Sequence, residues 1–289
     1  MYHAEKTFIN KVSLMPSMKL HLTILASAIM TLAISAHAAA VSEETRQISE
    51  VPIKNLEESF TRKFGATTPL QWGENVTGVI TGGSGAAKKI ALTMDACGGH
   101  KGMGIDMELI TFLEREKIPA TLFLNARWID GNMALFEKLA SNPLFEIANH
   151  GFAHKPASVN GEKAYGISGT RNVSELVDEI ELNARKIGRL TGKRPAFYRS
   201  GTAFYDEVAV KVANRLGQKV AGFNILGDAG ATFSREKVKE AILSAKPGAI
   251  IIIHMNHPEA ETGKGAISAL PELIRRGYRF VKLSEMEMQ

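Results

Sequence analysis

The chain of 289 residues has one cysteine, two tryptophans and no charge block of either sign. The lone Cys97 excludes an intramolecular disulfide framework. Lys and Arg number 35 against 30 Asp and Glu, and neither sign clusters, so no nucleic-acid partner is implied. Aromatic residues make up only 7%, and Trp72 and Trp128 stand apart, so no platform distinctive of glycan stacking is visible. No repeat of fixed period occurs. What is present, 45% hydrophobic and 22% charged residues, describes an ordinary globular protein with ample core.

The longest uncharged apolar segment, Leu22 to Ala36, is too short for a comfortable membrane span. Lys19 precedes it and Ala36-His37-Ala38 follows, the layout of a secretory signal peptide over residues 1–38, cleaved after Ala38. Residues before Met18 read as an upstream start. The full charge of +5, less the net +2 of Lys6, Lys11, Lys19 and Glu5, leaves +3 on the mature chain. The expectation is an exported, periplasmic or secreted protein with no stable membrane span after cleavage. Its mild positive charge would suit an anionic cell-wall polymer without requiring one. Residues 39–85 form an N-terminal extension ending in the glycine-rich Thr81–Gly85, and residues 86–289 form one domain.

From Lys88 onward, apolar strand-like runs alternate with helix-period segments. The runs are KIALTMD, PATLFLN, LFEIANH, PAFYR, QKVAGFNIL, GAIIIIH and YRFVKL. Such alternation predicts an α/β protein of parallel strands wrapped by helices. Reactive side chains fall at the ends of these runs: Asp95, His150, Arg199 and His254, with Asp228 just after Leu226. Parallel α/β barrels assemble their chemistry from the C-terminal ends of several strands, so one shared site accounts for the placement.

His150 and His154, at i and i+4 on a turn opening into a helix, would face one cation with neutral nitrogen ligands. Zn²⁺ or a similar ion there would lower the pKa of a bound water to roughly 7 and polarise a carbonyl. Asp95 is placed to take a proton and His254 to give one to a departing amine. Arg199 would hold Asp95 ionised, and Asp228 would raise the pKa of His254. The reaction class is metal-assisted hydrolysis of an amide or ester.

The ordered elements ALTMDACGG, NHGFAH, FYRSGTAFYDE, VAGFNILGDAG and GAIIIIH resemble the five motifs of the NodB-like polysaccharide deacetylases, carbohydrate esterase family 4. The resemblance covers about residues 86–285. It implies a distorted (β/α) barrel of seven or eight parallel strands that removes acetyl groups from N-acetylated sugars in peptidoglycan, chitin or related polymers. By position it implies Asp95 as base, Arg199 positioning it, His254 as acid paired with Asp228, and His150 and His154 as metal ligands.

Three departures mark a divergent branch. The family usually follows its first aspartate with a second that binds metal, but here Ala96 follows Asp95, so water, Cys97, His100 or Asp95 itself must complete the site. The third motif has Ser200-Gly201-Thr202 in place of Pro-Pro-Tyr, where a backbone N–H would serve the oxyanion. The fourth lacks a tryptophan. Two rival functions follow: a C–N hydrolase or esterase for a small amide or acetate ester, and a non-catalytic glycan-binding protein on the same fold.

Overall fold

The computed structural model describes residues 48–85 and 87–288. The expected signal peptide, residues 1–38, lies outside the described residues. Helix α1 (Ile53–Phe64) and strand β1 (Trp72–Gly73) come first. They are followed by β2 (Lys89–Ala96), α2 (Met107–Arg115), β3 (Ala120–Leu124), α3 (Ala126–Gly131), α4 (Met133–Ser141) and β4 (Phe145–Asn149). A small hairpin, β5 (Lys163–Ala164) and β6 (Ile167–Ser168), leads to α5 (Val173–Thr191), β7 (Phe197–Tyr198) and β8 (Tyr205–Asp206). The remainder is α6 (Glu207–Arg215), β9 (Lys219–Val220), β10 (Ile225–Leu226), α7 (Arg235–Leu243), β11 (Ile250–His254), α8 (Thr262–Arg275) and β12 (Arg279–Val281). Among the described residues no helix is long and apolar enough to cross a membrane.

The main sheet runs β10-β11-β2-β3-β4-β7-β9, with β12 added beside the first residues of β2. Every pairing in it is parallel, which gives the expected distorted (β/α) barrel. Side chains alternate across it with period two. From β2, Ile90, Leu92, Met94 and Ala96 join the core under the helices, whereas Ala91 joins Phe123, Ala148, Phe197 and Ile250 in the barrel interior. Thr93 and Asp95 continue that inward row toward the C-terminal end of β2, and the register sets His254 directly beside Asp95.

The run QKVAGFNIL, expected as one strand, is two. β9 and β10 sit at opposite ends of the sheet, and residues 221–224 cross the seam between them. The break has a physical cause. The buried Arg199 guanidinium donates to the carbonyls of Ala221 (3.0 Å) and Gly222 (2.8 Å), and Asn224 donates its N–H to the Ile250 carbonyl (3.1 Å). At the seam the Ala221 and Gly222 carbonyls thus accept from a side chain and the Asn224 N–H donates to β11, so β9 and β10 do not pair with each other. Ile80 pairs with Ala221 and Gly82 with Ala249, so the segment leading into β2 bridges the same gap.

Helix α5 shows how the sequence sets the outer layer. Asn172 caps it by accepting the Glu175 N–H, and Gly192, at φ +71°, ends it in the left-handed conformation that glycine adopts freely. Its buried face carries Val173, Leu176, Val177, Ile180, Ala184 and Ile187 at helical spacing, and with them the polar Glu179 and Asn183.

Candidate metal centre and active site

Strand alternation brings Asp95, His150, Arg199 and His254 to one end of the barrel, and the loops after the strands add Cys97, His154 and Asp228. The site has two halves. In the first, Arg199 is fully buried and its Nη1 donates to Asp95 Oδ1 at 2.7 Å and to Thr93 Oγ1 at 3.0 Å. The guanidinium lies over the Phe123 ring, 4.1 Å from its centroid. Asp95 Oδ2, the oxygen turned away from Arg199, lies 3.7 Å from His150 Nε2. The aspartate is thereby fixed by a charged partner with one oxygen toward the imidazoles.

His150 Nδ1–H donates to the Arg199 carbonyl at 3.0 Å, because that oxygen can only accept. Nε2 is left as a lone-pair donor, 3.7 Å from Cys97 Sγ. His154 stands beside it, the two rings 4.9 Å apart and nearly perpendicular. Ligand atoms of Cys97, His150 and His154 lie within 4.8 Å of one another. His154 Nε2 is buried with no hydrogen-bond partner, which is costly unless something is bound to it. Two imidazole nitrogens and a thiol, one nitrogen orphaned and the other oriented by a carbonyl, fit a borderline-soft divalent cation.

The Cys97 thiol agrees with that fit, whereas a proton on His150 would compete with a cation. Burial acts to raise the Cys97 thiol, but the charge of His154 and the imidazoles of His150, His154 and His254 around it bring it well below its ordinary value. Burial acts to lower His150, and Asp95 with Cys97 outweighs it, so His150 titrates above its ordinary value.

The second half is His254 with Asp228. Asp228 is buried and accepts His254 Nδ1–H at 3.0 Å, the His254 backbone N–H at 2.7 Å and the Thr262 hydroxyl at 3.1 Å. Burial opposes charge on His254, but Asp228 overrides it and lifts the imidazole well above its usual pKa. The same pairing holds Asp228 below its usual range despite burial.

His100 is exposed on a turn, outside the group formed by Cys97, His150 and His154. The turn after His150 does not open into a helix: Gly151 at φ +77° and His154 at φ +60° curl the chain instead. A carboxylate holds that curl. Glu179 of α5 accepts the N–H of Ala153 (2.8 Å) and of Lys155 (3.1 Å), and its backbone carbonyl accepts the Phe152 N–H (2.9 Å). A buried amide network supports the preceding residues. Asn149 Oδ1 accepts from Gly151 N–H and Asn183 Nδ2, while Asn125 Nδ2 donates to the carbonyls of His150 and Gly151. Sequence reading passed over Glu179 and Asn183. The available signal was two polar residues, four apart, on the apolar face of α5.

In the third motif, the Ser200 N–H donates to the Tyr205 hydroxyl and the Gly201 N–H to the Lys155 carbonyl, so both amides are engaged within the loops.

Residues 82–221 match the polysaccharide deacetylase family. A bifunctional xylanase/deacetylase of Pseudobutyrivibrio xylanivorans is 25% identical over 208 residues, 69% of this chain and 30% of that protein. This chain therefore spans less than a third of that relative. A peptidoglycan-N-acetylglucosamine deacetylase of Bacillus cereus is 24% identical over 183 residues, 62% of this chain and 80% of the relative. Among solved structures, a pseudoenzyme of carbohydrate esterase family 4 from Bacillus anthracis shares the fold with a TM-score of 0.59 at 19% identity, covering 74% of this chain and 70% of the other. With its five motifs in order on a parallel barrel, the chain belongs to the NodB-like polysaccharide deacetylase family as a divergent member.

Proposed function

We propose that this protein is a metal-dependent hydrolase that removes N-acetyl groups from a cell-wall or related polysaccharide. One observation carries the reading: two separate proton-handling pairs, Asp95–Arg199 and His254–Asp228, flank a Cys97–His150–His154 group that includes an orphaned buried nitrogen. Those three residues would hold the cation, for which Zn²⁺ is the best match to one thiolate and two imidazoles. Bound there, it would supply Lewis-acid activation of the acetyl carbonyl and of water.

The chain's own residues divide the remaining work. Asp95 accepts a proton at Oδ2 while Arg199 keeps Oδ1 fixed. His254, charged because Asp228 holds its Nδ1–H, donates from Nε2 to the amine that leaves when the C–N bond breaks. Strand β2 delivers Asp95 and β11 delivers His254 at paired register positions, so base and acid stand on adjacent strands. An N-acetylated glycan, peptidoglycan or a chitin-like polymer, is the proposed substrate, in keeping with the deacetylases among its relatives. Residues 1–38 are proposed to direct export to the periplasm, where such polymers are found.

The test is acetate release from peptidoglycan and N-acetylglucosamine oligomers, with elemental analysis of wild type and the His150→Ala/His154→Ala double variant. About one zinc-like ion per chain in wild type and none in the variant is expected. Asp95→Asn should lower turnover by about 10²- to 10⁴-fold. A second reading, a glycan binder without catalysis, draws on the likeness to a pseudoenzyme and on Ala96 standing where the family has its second aspartate. Metal-free wild type after reconstitution, with no acetate released, would favour it.

A further inference from the structure

The sequence shows no aromatic platform, yet the fold gathers three aromatic side chains from three distant segments. Trp72 of β1, Tyr165 of the β5–β6 turn and Phe204 just before β8 line one open cleft of about 770 Å³. The Phe204 ring lies 5.8 Å from Trp72 and 5.3 Å from Tyr165, tilted to the first and edge-on to the second. Glu74, Asn75 and Gln71 supply polar atoms on the same wall. That volume falls within the range of small-ligand sites, about 300–1,000 Å³.

Two features set this cleft apart from ordinary surface. Tyr165 is 75% exposed, and its hydroxyl donates to Glu74 Oε1 at 3.2 Å, across 91 residues of sequence. It also occupies a place suited to glycine or asparagine. Tyr165 and Gly166 form the two-residue hairpin connection, both at positive φ (51° and 77°), a pattern that disfavours a bulky side chain. A large aromatic held in such a backbone, with three-quarters of it in water, contributes little to the core. Its ring faces solvent in a place where a turn former would be more stable.

The position of the cleft connects it to the catalytic end. Tyr165 lies on the connection that leaves the C-terminal end of β4, past His150. Phe204 lies on the one that leaves β7, past Arg199. Phe204 is tied to that end through its carbonyl, which accepts the Ser200 hydroxyl (2.9 Å) and the Ala157 N–H (3.0 Å). Trp72 is carried in by the antiparallel pairing of β1 with β8.

We infer that Trp72, Tyr165 and Phe204, with Glu74, bind a pyranose ring of the glycan chain, adjoining the sugar whose acetamido group sits at the catalytic centre. A pyranose presents an apolar C–H face to aromatic rings and equatorial hydroxyls to a carboxylate and amides, and this cleft offers both. The inference rests on the deacetylase reading for the identity of the polymer. It makes the segment before residue 85 part of the substrate surface.

The test is calorimetric titration of the purified chain with N-acetylglucosamine oligomers, monomer to pentamer, alongside acetate release. Variants Tyr165→Asn and Trp72→Ala are compared with wild type. Asparagine suits the positive φ, so Tyr165→Asn keeps the hairpin while removing the ring. Wild-type affinity should rise with oligomer length, and each variant should bind the pentamer about tenfold more weakly, the change expected for one lost aromatic contact. Affinity independent of length, or variants that bind the pentamer as tightly as wild type, would overturn the subsite. The two readings fail separately. Pentamer binding through Trp72 and Tyr165 without acetate release keeps the subsite and removes the deacetylase, and acetate release without length dependence does the reverse.

Discussion

Gly201 lies against the backbone of His154 so closely that a β-carbon at 201 would stand 2.4 Å from the His154 carbonyl carbon and oxygen. No side chain fits there without moving the His154 loop, which accounts for glycine at 201 in this chain. Gly201→Ala is therefore expected to displace His154 and weaken metal binding by about 10- to 100-fold. Competition with a chromogenic chelator would measure it. Wild-type affinity in the variant would mean that the loop yields freely and that the contact has no bearing on the centre.

Asp228 sets the charge on His254. With the carboxylate replaced in Asp228→Asn, Cys97 is left as the main group opposing burial, and the imidazole pKa falls from the raised position that Asp228 sustains. In the proposed role of general acid, His254 works only while protonated, so the alkaline limb of the pH–rate profile should move to lower pH. The neutral-pH rate should drop by about 10²-fold or more. An unmoved alkaline limb would assign it to another group.

The thiol of Cys97 has a spectroscopic signature if it binds metal. Protein loaded with cobalt(II) should show a sulfur-to-metal charge-transfer band in the near ultraviolet, and Cys97→Ser should lose the band and bind the metal less tightly. A cobalt-loaded wild type with no such band would exclude the thiolate from the coordination shell.

Glu179 gives a stability prediction independent of catalysis. Burial, opposed by the Ala153 and Lys155 N–H groups, pushes its carboxyl from 4.5 up to about 7. Below pH 4.5 the group is protonated folded and unfolded alike. Between 4.5 and about 7 the native chain keeps a proton that the unfolded chain releases, so stability falls as pH rises across that window, by about 3 kcal/mol in all. Denaturant titrations at pH 5 and pH 8 should show this slope in wild type and a flatter one in Glu179→Gln. Equal slopes would place the titration elsewhere.

Where the candidate residues sit was legible because they end strands. Asp95, His150, Arg199 and His254 each follow an apolar run, and position along a parallel strand is one of the few tertiary facts that a single sequence displays. Asp228 followed for the same reason. The His154 loop was misjudged because i, i+4 spacing suggests a helix. Only the fold reveals the positive φ at Gly151 and His154 and the Glu179 carboxylate that stabilises it. Which of Cys97 and His100 stands beside the two imidazoles depends on which way a glycine-rich turn folds. The seam between β9 and β10 was invisible because QKVAGFNIL has an unbroken strand pattern, interrupted only by an arginine distant in sequence. The aromatic cleft was hidden for the same reason: Trp72, Tyr165 and Phe204 meet only through long-range pairing.

Arg199 closes the seam of the barrel with the same guanidinium that orients Asp95. Selection for a foldable chain and selection for a working catalyst therefore act on one side chain. A descendant that lost its chemistry would still keep this arginine, since removing it would leave the Ala221 and Gly222 carbonyls without their donors. Asp95 shares part of that duty as the counter-charge of the buried guanidinium, whereas His254 carries none at the seam. Across related chains, position 254 would record a loss of the proposed activity first, while Arg199 stayed constant through it.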